Sequence, residues 1–377
     1  MNEKSPPAVE SPALRQAGGQ LLSLALIDAR NHTLQWLAAW EQAAERQDPP
    51  GLAGLPQVLD IAQRIGALAH RWIVSPAGGV DGGAVPADSL RTGLMASLEA
   101  TLELLDAAPD DDAGLRLFRA ALFHEDACGE QLAALAQAHG LQAAQRAPAA
   151  LAWRPPLWLP ARRWTLGSAE GGFSFDLERP AHGVDVPEFE IDAQPVDWAR
   201  FVEFVDDGGY DRQELWHPDG WAWVQGQGRR APAHVAQIGG GGGAVLQHWF
   251  GQSVRLSASQ PVIHASWWEA DAWARWAGRR LPTEAQWEIA AVSASNQGFR
   301  WGEVHEWMAG SLRRWDGYRP DAWSAGTWLD PEPYWGRARV RRGASFATRA
   351  RLKHPRMRGF GLPDADQAFV GFRSCAV

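Results

Sequence analysis

The eight residues FHEDACGE (123–130) gather a histidine, a cysteine and three acidic side chains. In a helix, His124 and Cys128 stand four positions apart and point the same way, the arrangement by which two side chains share one metal ion. An imidazole beside a thiolate suits zinc, copper or an iron of softer character. Two ligands rarely hold a metal alone, however. The plainer reading is a packed pair, since a buried cysteine often serves as a small hydrophobe. Other kinds of site are missing from the sequence. There is no Cys-x2-Cys pair and no Gly-x-Ser-x-Gly elbow, and the run Gly239–Gly243 lacks the Lys-Ser or Lys-Thr of a phosphate cradle.

The elements that must position these residues differ between the two halves of the chain. Apolar positions recur at helical spacing over 21–44, 56–74, 87–108 and 113–140, which predicts four amphipathic helices in an up-and-down bundle. The segment SPAGGVDGGAVP (75–86) reads as a long flexible crossover. Around APAALAWRPPLWLP (147–160) proline ends the helical pattern. Beyond it lie short β-type runs, many Gly and Trp, and helices over 195–209 and 265–292, the second interrupted at Pro282. The expected layout is a disordered tail over 1–19, a bundle over 20–146, a linker over 147–160 and an α+β domain over 161–377. Gly239–Gly243 is expected to form a disordered loop.

Composition narrows the function. With 377 residues, 46% of them hydrophobic, the chain can build two cores. A net charge of −8 gives no basic field for nucleic acid or anionic lipid. No apolar run reaches the roughly 18 residues that span a bilayer, and the first residues lack the apolar stretch of a signal peptide. Two cysteines in the whole chain fit a reducing compartment. A cytoplasmic protein without membrane or nucleic-acid partners is therefore expected.

The motif order GGFSFDLERPAHGVDVPEFEID (171–192), FVEFVDDGGYDRQELWHPDGWAW (201–223), SWWEADAWARWAGRRLPTEAQWEIAA (266–291), RRGASFATRARLKHPRMRGF (341–360) and VGFRSCA (370–376) resembles the formylglycine-generating-enzyme (sulfatase-modifying factor) fold, a C-type-lectin-like α+β domain. A damage-inducible-type (DinB-like) four-helix bundle before it resembles the ergothioneine sulfoxide synthases, and LSLALIDARNHTL with GASFATRARLKHPRMR and GFRSCAV looks closest to their selenoneine synthase branch. The resemblance implies a non-haem Fe(II), oxygen-dependent enzyme that joins a thiol or selenol donor to hercynine, the trimethyl betaine of histidine.

That family carries a three-histidine iron site, with one ligand from the second helix and two from His-x3-His-x-Glu on the fourth. The fourth-helix motif falls on His124, Cys128 and Glu130, so the second histidine is a cysteine here, and Glu130 would support the ligands from behind. The second-helix motif aligns with QRIGALAHRWI, which puts Arg64 at the remaining ligand position with Ile65, Gly66, Arg71, Trp72 and Ile73 in register. A guanidinium stays protonated and repels a divalent ion. His70 cannot substitute, because six residues along a helix turn it by about 120°. Arg64 could instead pair with Glu125 or Asp126, or receive an acidic ligand.

The family's Gly-Asn-Val-Trp-Glu-Trp motif falls on Gly302–Trp307, with Glu303 for asparagine and His305 for the first tryptophan. Trp301, Glu303, Glu306 and Trp307 are the candidate substrate contacts, with Trp315 nearby, since a quaternary cation needs an aromatic face or partial negative charge. Thr283 and Glu284 read as a helix cap, and Phe372 with Arg373 as core. Cys375 has no second cysteine near it for a copper or disulfide role. Two functions stay open. One is a diverged iron enzyme of the hercynine sulfoxide or selenoneine type. The other is an inactive paralogue without metal, which binds the betaine or pairs with an active homologue.

Overall fold

The computed structural model describes residues 9–74, 87–239, 244–327 and 329–377. The expected crossover over 75–86, most of the glycine run and the first eight residues lie outside them. Helices α1 (Gly19–Glu45), α2 (Pro49–Ala69), α3 (Ala87–Asp106) and α4 (Arg116–His139) pack against one another. Helix α4 contains no β-branched residue and stops where Gly140 takes the left-handed conformation at φ 71°, its N–H closing on Ala136 and Gln137 carbonyls. Every residue from Phe118 to Gly129 is buried, so α4 is the central helix. Gly129 lets α1 approach it, because a Cβ there would meet His32 Nδ1 at 3.0 Å.

Two expectations need correction. Helix α2 begins at Pro49 instead of residue 56, since the first turn needs no N–H and accepts proline. The chain before residue 20 is not all tail. Pro12–Gln16 forms a 3-10 turn in which Leu14 is fully buried and Arg15 pairs with Glu178 at 2.7 Å.

The second half holds four short helices, α5 (Trp198–Asp206), α6 (Pro218–Gln227), α7 (Trp267–Trp276) and α8 (Glu284–Ser293). Helix α6 was not foreseen; His217 caps it and Pro218 opens it. The interruption at Pro282 separates α7 from α8, and Thr283 caps α8 through a reciprocal box with Gln286. Phe372 and Arg373 are fully buried, as expected of core residues.

The strands are β1 (Leu157–Leu159), β2 (Arg162–Leu166), β3 (His182–Val186), β4 (Phe189–Ile191), β5 (Val235–Gly239), β6 (Ala244–Trp249), β7 (Gln252–Leu256), β8 (His305–Ser311), β9 (Arg339–Gly343), β10 (Arg358–Gly361) and β11 (Val370–Gly371). They form pairs β1–β4 and β2–β3, a meander β5–β6–β7, and a four-stranded sheet ordered β10–β9–β8–β11. In that sheet β11 runs parallel to β8, and the other pairs are antiparallel.

The two halves share their cores. Trp36, Trp40 and Leu132 of the bundle pack in one apolar cluster with Trp249, Phe346 and Phe369. Phe123 on α4 stacks on Phe173, with ring centroids 5.1 Å apart, beside Trp323 and Leu352. Burial of this kind fixes how α4 faces the β8–β9–β10 sheet, and the candidate site lies along that contact.

Candidate functional site

The first cluster sits inside the bundle. His124 and Cys128 are both buried, and Sγ lies 3.8 Å from Nε2 and 3.9 Å from Nδ1 of the imidazole. Burial drives His124 down to about 3, and the positive charge of Arg64 on α2 pushes the same way. The guanidinium therefore lies within electrostatic reach of the histidine. Its Nη2 bonds Asp60 at 3.1 Å, and its Nε is buried without an acceptor among the described residues. Arg64 does not pair with Glu125 or Asp126. Glu125 takes Arg30 and the Thr33 hydroxyl, both at 2.8 Å, and Asp126 takes Arg351 through two bonds of 2.7 Å. His70 is exposed in the π-helical turn His70–Val74 that follows α2.

One turn further along α4 the second cluster begins. The carboxylate of Glu130 accepts from His305 Nε2 at 2.9 Å, Ser345 Oγ at 2.5 Å and Thr348 Oγ1 at 2.7 Å, all from the second half of the chain. Burial alone would raise this carboxyl, yet the His305 charge and the three hydrogen bonds outweigh it and hold Glu130 at about 2. The Glu130–His305 pair forms one wall of a cavity of about 190 Å³ between α4 and the sheet. Phe175, Met357 and Phe360 line its apolar side, and Asp176 and Arg341 bring charge to it. Its size suits a molecule smaller than a typical drug, whose pockets run from about 300 Å³ upward.

A sulfatase-modifying factor enzyme 1-like domain matches residues 157–321. The hercynine oxygenase of Mycolicibacterium smegmatis is 31% identical over 327 residues, covering 72% of this chain and 74% of that protein. The chain belongs to the hercynine oxygenase family. A second hercynine oxygenase, from Mycobacterium tuberculosis, is 32% identical over 249 residues, covering 55% of this chain and 56% of its own length. The formylglycine-generating enzyme of Streptomyces coelicolor is 29% identical over 305 residues, covering 62% and 93%.

Among the described residues no three His, Cys, Asp or Glu side chains are placed to hold one metal ion. The position beside His124 from which α2 could offer a third donor is held by a cation, and a guanidinium donates hydrogen bonds but no lone pair. The residues present do not fit a three-histidine iron centre.

The candidate substrate contacts are also placed differently from expectation. Trp307 is fully buried and its indole N–H donates to the Ala265 carbonyl at 2.8 Å. Glu306 is locked to Arg373, at 2.7 Å for the longer of their two contacts, and accepts from Trp287 at 2.9 Å. Trp301 packs edge-on against Trp287 at 5.6 Å. Glu303 binds Arg146 and the Ala149 N–H, both at 2.7 Å, and so ties the segment after α4 to the sheet. None of these four lines the cavity. Trp315 is covered by Arg358, 4.3 Å above its ring. His305, noted in the sequence only as a departure from the family motif, does line it, as do Arg341 and Met357, for which the sequence carried no signal.

Among the described residues no helix is long and apolar enough to cross a membrane.

Proposed function

We propose that this chain is a ligand-binding member of the hercynine oxygenase family which takes a small, hercynine-like betaine in the cavity between α4 and the β8–β9–β10 sheet and does not run iron and oxygen chemistry. The observation that carries this reading is the guanidinium of Arg64 acting on buried His124 where a metal ligand would be needed. The cavity one turn away keeps what a betaine requires. Phe175, Phe360 and Phe369 line it with aromatic side chains, the kind that suits a quaternary ammonium, and Asp176 lines it as well.

A second reading rests on the retained His124–Cys128 contact: an altered metal pair that still joins a thiol or selenol donor to the betaine. One experiment separates the two. Protein loaded with Fe(II) without oxygen and then desalted is assayed for metal by elemental analysis and for hercynine binding by calorimetry. The first reading expects saturable binding of the betaine and iron far below one equivalent. Close to one iron per chain would replace it with the second, and absence of hercynine binding would remove it.

A further inference from the structure

Four arginines stand on β9 and the first position of β10, and three of them have an acceptor within the protein. Arg342 pairs with buried Glu288, Arg358 pairs with Glu284 at 2.8 Å, and Arg339 reaches Ser311 Oγ at 3.3 Å and the Ala309 carbonyl at 3.4 Å. Arg341 differs. None of its N–H groups meets an acceptor among the described residues, and its Nε is shielded from solvent. Its guanidinium lies 5.7 Å from the Trp307 ring and borders the cavity. Glu130 is near enough to act on Arg341 through its charge. Yet both Glu130 oxygens are already taken by His305, Ser345 and Thr348. A guanidinium whose Nε is shielded from solvent and which bonds to no acceptor among the described residues is suited, at a cavity wall, to hold an anion.

We infer that Arg341 is the anion anchor of the cavity: it binds the carboxylate of a small ligand whose remainder packs on Phe175, Met357 and Phe360. The inference rests on the reading that the cavity is a ligand site and adds which end of the ligand is recognised. A planar guanidinium can take both carboxylate oxygens at once. Lysine at this position would supply only a point charge.

The test compares three imidazole carboxylates with their carboxylate-free counterparts by calorimetry: hercynine with trimethylhistamine, histidine with histamine, and imidazole propionate with 4-ethylimidazole. In the wild-type protein at least one carboxylate should bind about 10- to 100-fold more tightly than its counterpart, the range of a charge-assisted hydrogen bond. In Arg341→Leu that preference should fall to within about threefold, with Arg341→Lys intermediate. Circular dichroism checks the fold, and Arg341→Gln carries the comparison should the leucine variant fail to fold. A preference that survives loss of the guanidinium overturns the anchor and leaves the proposed function standing. Binding of histidine or imidazole propionate through Arg341, with none for hercynine, does the reverse. Failure of all three carboxylates to bind the wild-type protein overturns both.

Discussion

Replacing Glu130 with glutamine tests what joins the two halves of the molecule at the cavity. The carboxylate takes three hydrogen bonds from three different residues of the second half, at 2.5, 2.7 and 2.9 Å. Its side chain is 15% exposed and that of His305 16%, so solvent screens the group little. Hydrogen bonds to a charged group contribute about 2 kcal/mol each, against about 1 kcal/mol for neutral ones. Glutamine keeps one carbonyl oxygen, which can still accept from His305 and Ser345 at neutral strength. Its amide N–H2 then faces the Thr348 hydroxyl, which can rotate to accept. The change is from roughly 6 kcal/mol to about 3 kcal/mol, so Glu130→Gln should destabilise the protein by about 3 kcal/mol. Urea unfolding with linear extrapolation measures this, provided the slope is unchanged between variants. The companion Ser345→Ala removes one donor. Its cost in the Glu130→Gln background should be smaller than in the wild type by about 1 kcal/mol, because the two act on one network. A loss under 1 kcal/mol for Glu130→Gln, with additive behaviour of the pair, would refute the claim that this carboxylate ties α4 to the sheet.

Two further outcomes follow from other contacts. Restoring both imidazoles by Arg64→His with Cys128→His should raise iron retained after Fe(II) loading and gel filtration from near zero to close to one equivalent; no uptake would mean that more than the donors has been lost from the corner. The Arg15–Glu178 pair should respond to acid. Burial alone would raise the Glu178 carboxyl, but the Arg15 charge and hydrogen bonds hold it below an ordinary glutamate's 4.5. A depressed carboxyl contributes stability above its unfolded value and loses it as pH falls through the folded one. Protection of the Phe173 amide, whose N–H donates to the Arg15 carbonyl at 2.7 Å, relative to its intrinsic exchange rate at each pH should therefore fall as pH drops below 4.5, and Glu178→Gln should abolish that dependence. Protection unchanged across that range would contradict it.

The helices could be read from the sequence because each buries one face at a fixed spacing, and α4 was the plainest of them. Arg64 was placed through the family resemblance that set the register of α2; the structure has its charge acting on His124 and leaves His70 exposed. The lining of the cavity was not legible. Trp307 and Glu306 look the same in sequence whether they face a ligand or a core, and here Arg373 and the Ala265 carbonyl hold them in the core. Arg341 was hidden differently. It sits in RARVRRG among arginines that all read alike, and only the positions of Glu288 and Glu284, more than fifty residues away, leave it as the one without an acceptor.

This contrast between the two clusters on α4 carries the functional argument. Where His124 and Cys128 stand, the neighbouring helix contributes a cation. Where Glu130 stands, β8 and the loop after β9 contribute three hydrogen-bond donors beside an open cavity. The Glu130 network stabilises the fold by itself, but a guanidinium without an acceptor beside an open volume does not, since filling the cavity with apolar side chains would stabilise the fold further. A polar arrangement that costs stability is retained most simply when something binds to it. The Arg341 guanidinium beside an open cavity therefore supports the proposed recognition of a ligand, and the Arg341 variants test it.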